Sequence, residues 1–251
     1  MRILLNSELS DHHCEQVLSV SEGLQLVKPT TREELLDEMP LVDVVFGGFD
    51  REMFLRAERL QWVQTWAAGL DGMLFRELVE SEVVLTSAKG TVGVHLADHA
   101  MALLLSLTRG IARAVREPGW APKMDIRNAA WELVDRTMGI VGLGGTGREL
   151  AIPASAFGLR VIAVDPEKMS FPQCVETCFG MDCFREFLAD SDILAIYALL
   201  TPQTSGLFDD DAFRMMRSHA LLINVTRGGI MNNEALVRAL NEGEIGGAVW
   251  T

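Results

Sequence analysis

Basic residues are scarce: 22 Lys and Arg stand against 35 Asp and Glu, a formal charge of −13 at pH 7. Binding to a phosphate backbone needs clustered cations, so a broad nucleic-acid footprint is excluded and small-molecule or protein partners are expected. Long apolar runs are missing as well. The longest, Ala100 to Leu107 and Ile193 to Leu200, fall far short of the roughly 18 residues of a spanning helix. At the N-terminus Arg2 precedes only Ile3, Leu4 and Leu5 before Asn6, Ser7 and Glu8. That is no signal-peptide core, and a cytoplasmic location is the expectation. Cysteine is sparse, with 4 in 251 residues. Cys174, Cys178 and Cys183 cluster in neither a CxxC nor a zinc-ribbon spacing, so they read as reduced thiols. His12, His13 and Cys14 fall at the start of an expected first helix, on a solvated face. His95 and His99, with Asp98 beside them, share a helical face. No third ligand falls in register with them, and no metal is expected.

Apolar material is plentiful, at 49% of the residues. Global disorder is excluded, and the length fits one large or two medium α/β domains. Short apolar runs at Arg2 to Leu5, Leu24 to Val27, Val42 to Phe46, Trp62 to Thr65 and Val83 to Thr86 read as strands. They alternate with amphipathic stretches such as Thr31 to Met39. Alternation of this kind implies a parallel sheet covered by helices. A long, mostly apolar helix is expected over Val92 to Val115, stopped by Glu117-Pro118-Gly119. After a polar stretch holding Trp120, Pro122 and Trp131, the alternation resumes. Strands are expected at Met138 to Val141, Arg160 to Val164, Ile193 to Ile196, Leu221 to Asn224 and Ile245 to Val249. Helices are expected at Thr146 to Phe157, Cys183 to Ala189, Asp209 to Met216 and Asn233 to Asn241. The reading is two α/β lobes, residues 1–93 and 94–251, with the boundary near the long helix.

The sharpest local signal is Gly142-Leu143-Gly144-Gly145-Thr146-Gly147, a GxGxxG between an apolar strand and a helix, with Asp165 at the end of the next strand. Each part has a task in dinucleotide binding. Gly142 permits the tight turn, Gly144 lets the backbone approach a pyrophosphate, and Gly147 lets the helix pack on the strand. The amides of Gly145 and Thr146 point at the diphosphate, aided by the helix dipole. Asp165 accepts from the ribose hydroxyls and repels a 2′-phosphate, which favours NAD over NADP; Lys168 lies close by and bears on the same choice. Pro153 falls inside the helix that follows and is expected to kink or loosen it. Leu221 to Gly229 reads as a buried strand that ends in Arg227. A guanidinium at a strand's carboxyl end reaches the crevice where open α/β sheets bind ligands, and there it can grip a carboxylate with two prongs.

In these features the sequence resembles the D-isomer specific 2-hydroxyacid dehydrogenase family over nearly its whole length. The matching segments are Trp66-Ala67-Ala68-Gly69-Leu70-Asp71, the stretch Ala88 to Arg109, the run MGIVGLGGTGRELA, Val164-Asp165-Pro166, Leu200-Thr201-Pro202-Gln203-Thr204, and LLINVTRGG followed by NNEALVRALNEGEIGGA. The resemblance implies two Rossmann-like or flavodoxin-like lobes with parallel sheets. Residues 1–93 would be the flavodoxin-like substrate domain and residues 94–251 a doubly wound NAD-binding domain. It implies an NAD-dependent oxidoreductase that interconverts a small D-2-hydroxy acid and its 2-oxo acid in the cleft between lobes. Ala68 and Gly69 would offer amides to the substrate carboxylate, and Arg227 would bind the carboxylate and the C2 oxygen as the catalytic arginine. Cofactor contacts would fall on Gly142, Gly144, Gly145, Thr146, Gly147, Asp165, Leu200, Thr201, Val225, Thr226 and Arg227. A homodimer is implied, with the helix around Asp98 and His99 at the lobe junction and the dimer contact, and His99 structural.

The match also departs from the family. A Glu and a His follow the family's counterpart of Gly246 to Thr251, the His being the general acid/base, and both positions lie past Thr251. Trp250 stands where the family carries Asp, and Tyr197-Ala198-Leu199 replaces a His-x-Pro. A reduction step without its proton donor loses about 10² to 10⁴ in rate. The expectation is a C-terminally truncated record of an active enzyme. The alternative is a non-catalytic NAD(H)-binding regulatory module of corepressor type.

Overall fold

Every strand pairing is parallel among the described residues, which in this computed structural model are 1–70, 72–117, 119–120, 123–167 and 170–250. Parallel neighbours need crossover helices, and the alternating pattern supplies them. The chain divides into two units, Met1–Thr91 and Val92–Thr251.

The first unit holds β1 (Arg2–Asn6), α1 (Asp11–Ser19), β2 (Gln25–Val27), α2 (Arg32–Glu38), β3 (Val44–Gly47), α3 (Arg51–Arg56), β4 (Trp62–Gln64), α4 (Arg76–Val79) and β5 (Val84–Thr86). Sheet order is β2-β1-β3-β4-β5, the flavodoxin-like arrangement, whose crevice lies between the carboxyl ends of β1 and β3. Three helices start on side-chain caps: Ser10 accepts from the His13 amide, Thr31 from Glu34 and Asp50 from Met53. Each cap satisfies an amide that the first turn leaves unpaired. Leu4, Val45 and Val63 from the sheet meet Leu35, Met39 and Met53 from the helical layer in one core, each full burial contributing roughly 1.5–3 kcal/mol.

The second unit opens with three helices, α5 (Gly93–Thr108), α6 (Ile111–Arg116) and α7 (Lys123–Ala129). There follow β6 (Thr137–Val141), α8 (Gly145–Ala156), β7 (Arg160–Val164), β8 (Thr177–Phe179), α9 (Phe184–Asp190), β9 (Ile193–Ile196), α10 (Asp210–Met215), β10 (Leu221–Asn224), α11 (Asn233–Asn241) and β11 (Gly247–Trp250). Sheet order is β11-β10-β9-β6-β7-β8. This doubly wound order reverses direction between β6 and β9, which places a ligand crevice at their carboxyl ends. A core lies on each face. Met138 and Ile140 pack with Leu104, Leu150 and Ala154 on one side; Val141, Ile162 and Leu194 pack with Phe187 and Phe213 on the other.

Several elements differ from the expectations. The helix expected over Val92 to Val115 is two helices, because Gly110 adopts φ +66° between them and a Cβ there would lie 2.7 Å from Ile126 Cγ2. The stretch read as polar contains α7. Strand β8 has no counterpart among the expected strands: Thr177-Cys178-Phe179 holds no aliphatic run, and all three residues are only half-buried at a sheet edge. Helix α8 runs unbroken through Pro153, since the core contacts of Leu150, Ala151 and Ala154 hold it against the sheet.

Candidate functional site

Strand β6 is buried along its whole length and delivers Gly142 to the crevice. Gly142 has φ +92°, and a Cβ there would sit 2.7 Å from the Ala198 nitrogen, in the loop that leaves β9. Only glycine fits both the conformation and the approach. A Cβ on Gly147 would lie 2.2 Å from the Gly142 carbonyl oxygen, so α8 rests directly on the turn. Gly144 and Gly145 are the opposite case: a Cβ on either meets nothing within 4 Å. The fold does not require glycine at those two positions. The cradle is open on the side where their backbone faces outward.

The first intrahelical bond of α8 runs from the Arg148 amide to the Gly144 carbonyl at 3.1 Å. The amides of Gly145, Thr146 and Gly147 therefore precede the helical ladder and, with the helix dipole, form an anion site. Arg148 braces the turn by donating to the carbonyls of Leu143 and Ser170. Asp165, half-buried after β7, accepts from the Leu143 amide through Oδ2 at 2.8 Å and from the Glu167 amide through Oδ1 at 2.9 Å. A carboxylate has about four acceptor sites, so each oxygen keeps capacity for a ribose hydroxyl. Cys178, on β8, lies near enough to feel Asp165: burial first, and that carboxylate second, push its thiol up. Lys168 and Asp71 lie outside the described residues.

The strand ends on the other side of the switch point converge on the same edge. Tyr197 is buried, and its hydroxyl donates 3.0 Å to the Leu96 carbonyl in the first turn of α5. Burial pushes this phenol well up. The loop with Leu200 and Thr201 is tied together by Thr204, whose hydroxyl accepts from the Thr201 amide at 2.8 Å. A Cβ on Gly229 would lie 3.1 Å from Leu200 Cδ2, so the loops after β9 and β10 touch. Asn224 organises the end of β10: Oδ1 accepts from the Thr226 amide at 3.0 Å, and Nδ2 donates to the Arg227 carbonyl at 2.9 Å. Thr226 Oγ1 donates to the Ile196 carbonyl of β9 at 3.2 Å. The Arg227 guanidinium is half-buried and donates 3.0 Å to the Thr226 carbonyl.

The second unit thus gathers Gly142, Gly144, Gly145, Thr146, Gly147, Asp165, Leu200, Thr201, Val225, Thr226 and Arg227 at one sheet edge. Ala68 and Gly69 belong to the first unit, half-buried in the loop after β4. That loop is held where the Ala67 amide donates to Thr65 Oγ1 at 3.2 Å and the Ala88 amide to the Ala67 carbonyl at 3.1 Å. The sequence reading gave no role to Leu143, Arg148 or Asn224 and named Tyr197 only as a departure from the family; Leu143 and Tyr197 act through long-range bonds, to Asp165 and Leu96, that no local pattern carries. His95, Asp98 and His99 are exposed on α5. Among the described residues no group of three or more His, Cys, Asp and Glu is placed to hold a metal ion.

Residues 101–250 match the family model of the NAD binding domain of D-isomer specific 2-hydroxyacid dehydrogenase. The chain is similar to a glyoxylate reductase of Pyrococcus furiosus, at 30% identity over 230 residues, covering 86% of this chain and 68% of that protein. It is also similar to a D-3-phosphoglycerate dehydrogenase of Methanocaldococcus jannaschii, at 28% identity over 255 residues, covering 98% of this chain and 47% of that protein. Among solved structures, an NAD-dependent formate dehydrogenase from Staphylococcus aureus in complex with NAD superposes with a TM-score of 0.77 at 27% identity, covering 100% of this chain and 81% of that one.

Proposed function

The chain belongs to the D-isomer specific 2-hydroxyacid dehydrogenase family, and from that premise we propose that it binds NAD(H) and interconverts a small D-2-hydroxy acid and its 2-oxo acid. The observation that carries the reading is the cradle itself. Gly144 and Gly145 are glycines without a packing reason, beside Asp165 and at the carboxyl edge that also receives Arg227. When bound, the nicotinamide supplies or accepts the hydride at substrate C2. The amides of Gly145, Thr146 and Gly147 hold the diphosphate. Asp165 accepts from the adenosine ribose, and Leu200, Thr201, Val225 and Thr226 wall the dinucleotide. The amides of Ala68 and Gly69 take the substrate carboxylate. Arg227 would pair with that carboxylate and with the C2 oxygen, stabilising the negative charge that oxygen carries until it takes a proton from solvent.

The homologous glyoxylate reductase and D-3-phosphoglycerate dehydrogenase support this reaction class. We place residues 1–93 as the substrate domain and 94–251 as the cofactor domain. Pairing into a homodimer is part of the proposal, supported by Ile111, Val115 and Met124, which α6 and α7 leave exposed. A cytoplasmic site of action is proposed as the place where NAD(H) is at hand; no helix of the described residues is long and apolar enough to cross a membrane.

The test is titration with NADH, then with oxamate, a 2-oxo acid mimic that is not reduced. NADH binding followed by oxamate binding to the NADH complex is expected. Arg227→Lys should weaken oxamate by about 10-fold or more, since a two-pronged charged grip contributes about 1.5–3 kcal/mol, and should weaken NADH by much less than it weakens oxamate. Absence of NADH binding would overturn the function, and oxamate binding indifferent to Arg227 would overturn the role of that residue.

A further inference from the structure

The carboxyl edge of the first unit carries a large apolar side chain for which its core gives no reason. Trp66 follows β4 and is 51% exposed, outside the cluster of Leu4, Val45 and Val63. It is nonetheless held in place. The indole packs edge-on against Phe46 of β3, with ring centroids 4.5 Å apart at 67°. Its Nε1 donates to Ser7 Oγ, just past β1, at 2.5 Å. The backbone on either side is pinned, by the Thr65 amide on the Thr86 carbonyl at 3.0 Å and the Ala67 amide on Thr65 Oγ1 at 3.2 Å. Trp66 therefore bridges the ends of β1 and β3, the point where this sheet order opens its crevice, and leaves part of its flat surface uncovered.

Residues 6–10, 47–50 and 65–70 hold no Lys or Arg; cations beyond them include Arg51, paired with Glu77, and Lys89, which follows Ala88 after β5. Residues 66 and 68 are at most about 7 Å apart along the backbone. A substrate whose carboxylate lies on the Ala68 and Gly69 amides thus has its C3 substituent within reach of the indole.

We propose that Trp66, held by Phe46 and Ser7, selects the substrate side chain, and that the favoured substrates are 2-oxo acids bearing an aryl group rather than glyoxylate-sized ones. The proposal rests on the carboxylate role of Ala68 and Gly69. An aryl substituent stacks on the preordered indole and gains both buried apolar area and an offset aromatic contact.

The experiment compares oxamate with N-phenyloxamate, its aryl counterpart, by calorimetry on the NADH-loaded chain, for the unaltered protein, Trp66→Ala and Trp66→Phe. N-phenyloxamate should bind about 10-fold tighter than oxamate, from stacking plus area. Trp66→Ala should erase the difference while leaving oxamate within about twofold, and Trp66→Phe should keep most of it, because a smaller ring still offers a face. Near-ultraviolet circular dichroism of both variants checks that the fold persists. Equal binding of the two ligands by the unaltered protein, or a preference that survives Trp66→Ala, overturns the role of Trp66 and leaves the carboxylate loop standing. If NADH binds and neither oxamate does, the carboxylate reading fails and the proposal falls with it.

Discussion

Four glycines of one turn do different work, and substitution separates them. A methyl on Gly142 meets the Ala198 backbone at 2.7 Å under a positive φ. Gly142→Ala should therefore lower stability by about 2 kcal/mol or more, read from the urea midpoint, and abolish NADH binding with it. A methyl on Gly144 meets nothing, so Gly144→Ala should leave the urea midpoint nearly unchanged yet weaken NADH by about 10-fold, because the added carbon stands where the pyrophosphate approaches. Loss of stability in Gly144→Ala, or unaltered NADH affinity, would contradict the open cradle. Asp165→Asn removes the charge and keeps one of the two oxygens, so one of the bonds from the Leu143 and Glu167 amides is lost with it. The ratio of NADH to NADPH affinity should fall by about 10-fold, since the variant no longer sets a carboxylate against a 2′-phosphate. The GxGxxG could be read locally because its residues are contiguous. The bond from Leu143 to Asp165 could not, because it joins the ends of two strands.

At the level of elements, the two ends of the second sheet are built for different purposes. The amino end is cross-braced around Asp192, a buried residue at the start of β9. Its Oδ2 accepts from the Thr137 amide at 2.8 Å, and its Oδ1 accepts from Arg217 and His219 at 2.7 Å each. Burial pushes this carboxyl up, but the Thr137 amide, His219 and Arg217 together outweigh it and hold it below the usual carboxylate range. A carboxyl lowered in the folded state contributes stability that is complete above its unfolded pKa of about 4. That contribution is lost as pH falls through the lower folded value. Asp192→Asn should cost about 2–3 kcal/mol at neutral pH and flatten the acid limb of stability against pH, measured by urea unfolding from pH 7 downward. An unchanged acid limb would show that other carboxylates set it. Tyr197 is the chain's single tyrosine. Because burial raises its phenol, phenolate absorbance should appear only above the ordinary tyrosine range, or together with unfolding. Titration at the ordinary value in the folded protein would mean that the bond to Leu96 does not hold the ring buried.

For the whole molecule, the charge of −13 makes the association unusual, since NADH is itself an anion. The local amides attract it while the overall field repels it, and salt screens the longer-range repulsion most. NADH affinity should therefore rise modestly as ionic strength increases from about 0.01 to 0.15 M, where the Debye length shortens from about 30 to 8 Å. A fall in affinity over that range would imply a local cation cluster stronger than the net charge. Saturating NADH should also raise the unfolding midpoint, by about 2.7 kcal/mol of added stability at 100 times Kd.

Sequence by itself determined the alternation of strands and helices, the glycine turn with its downstream acid, and the arginine at a strand's end, because periodicity and turn chemistry act within a few residues. It did not carry the break at Gly110, the edge strand β8 or the unbroken run of α8 through Pro153, each of which depends on what packs alongside. Only the tertiary structure decided which strand ends meet. Sheet order sets Gly142 against Ala198, Thr226 against Ile196 and Trp66 between Ser7 and Phe46. The physical reason is that sheet order is fixed by burying both faces of each sheet at once, a condition on the whole chain that no short window of residues contains.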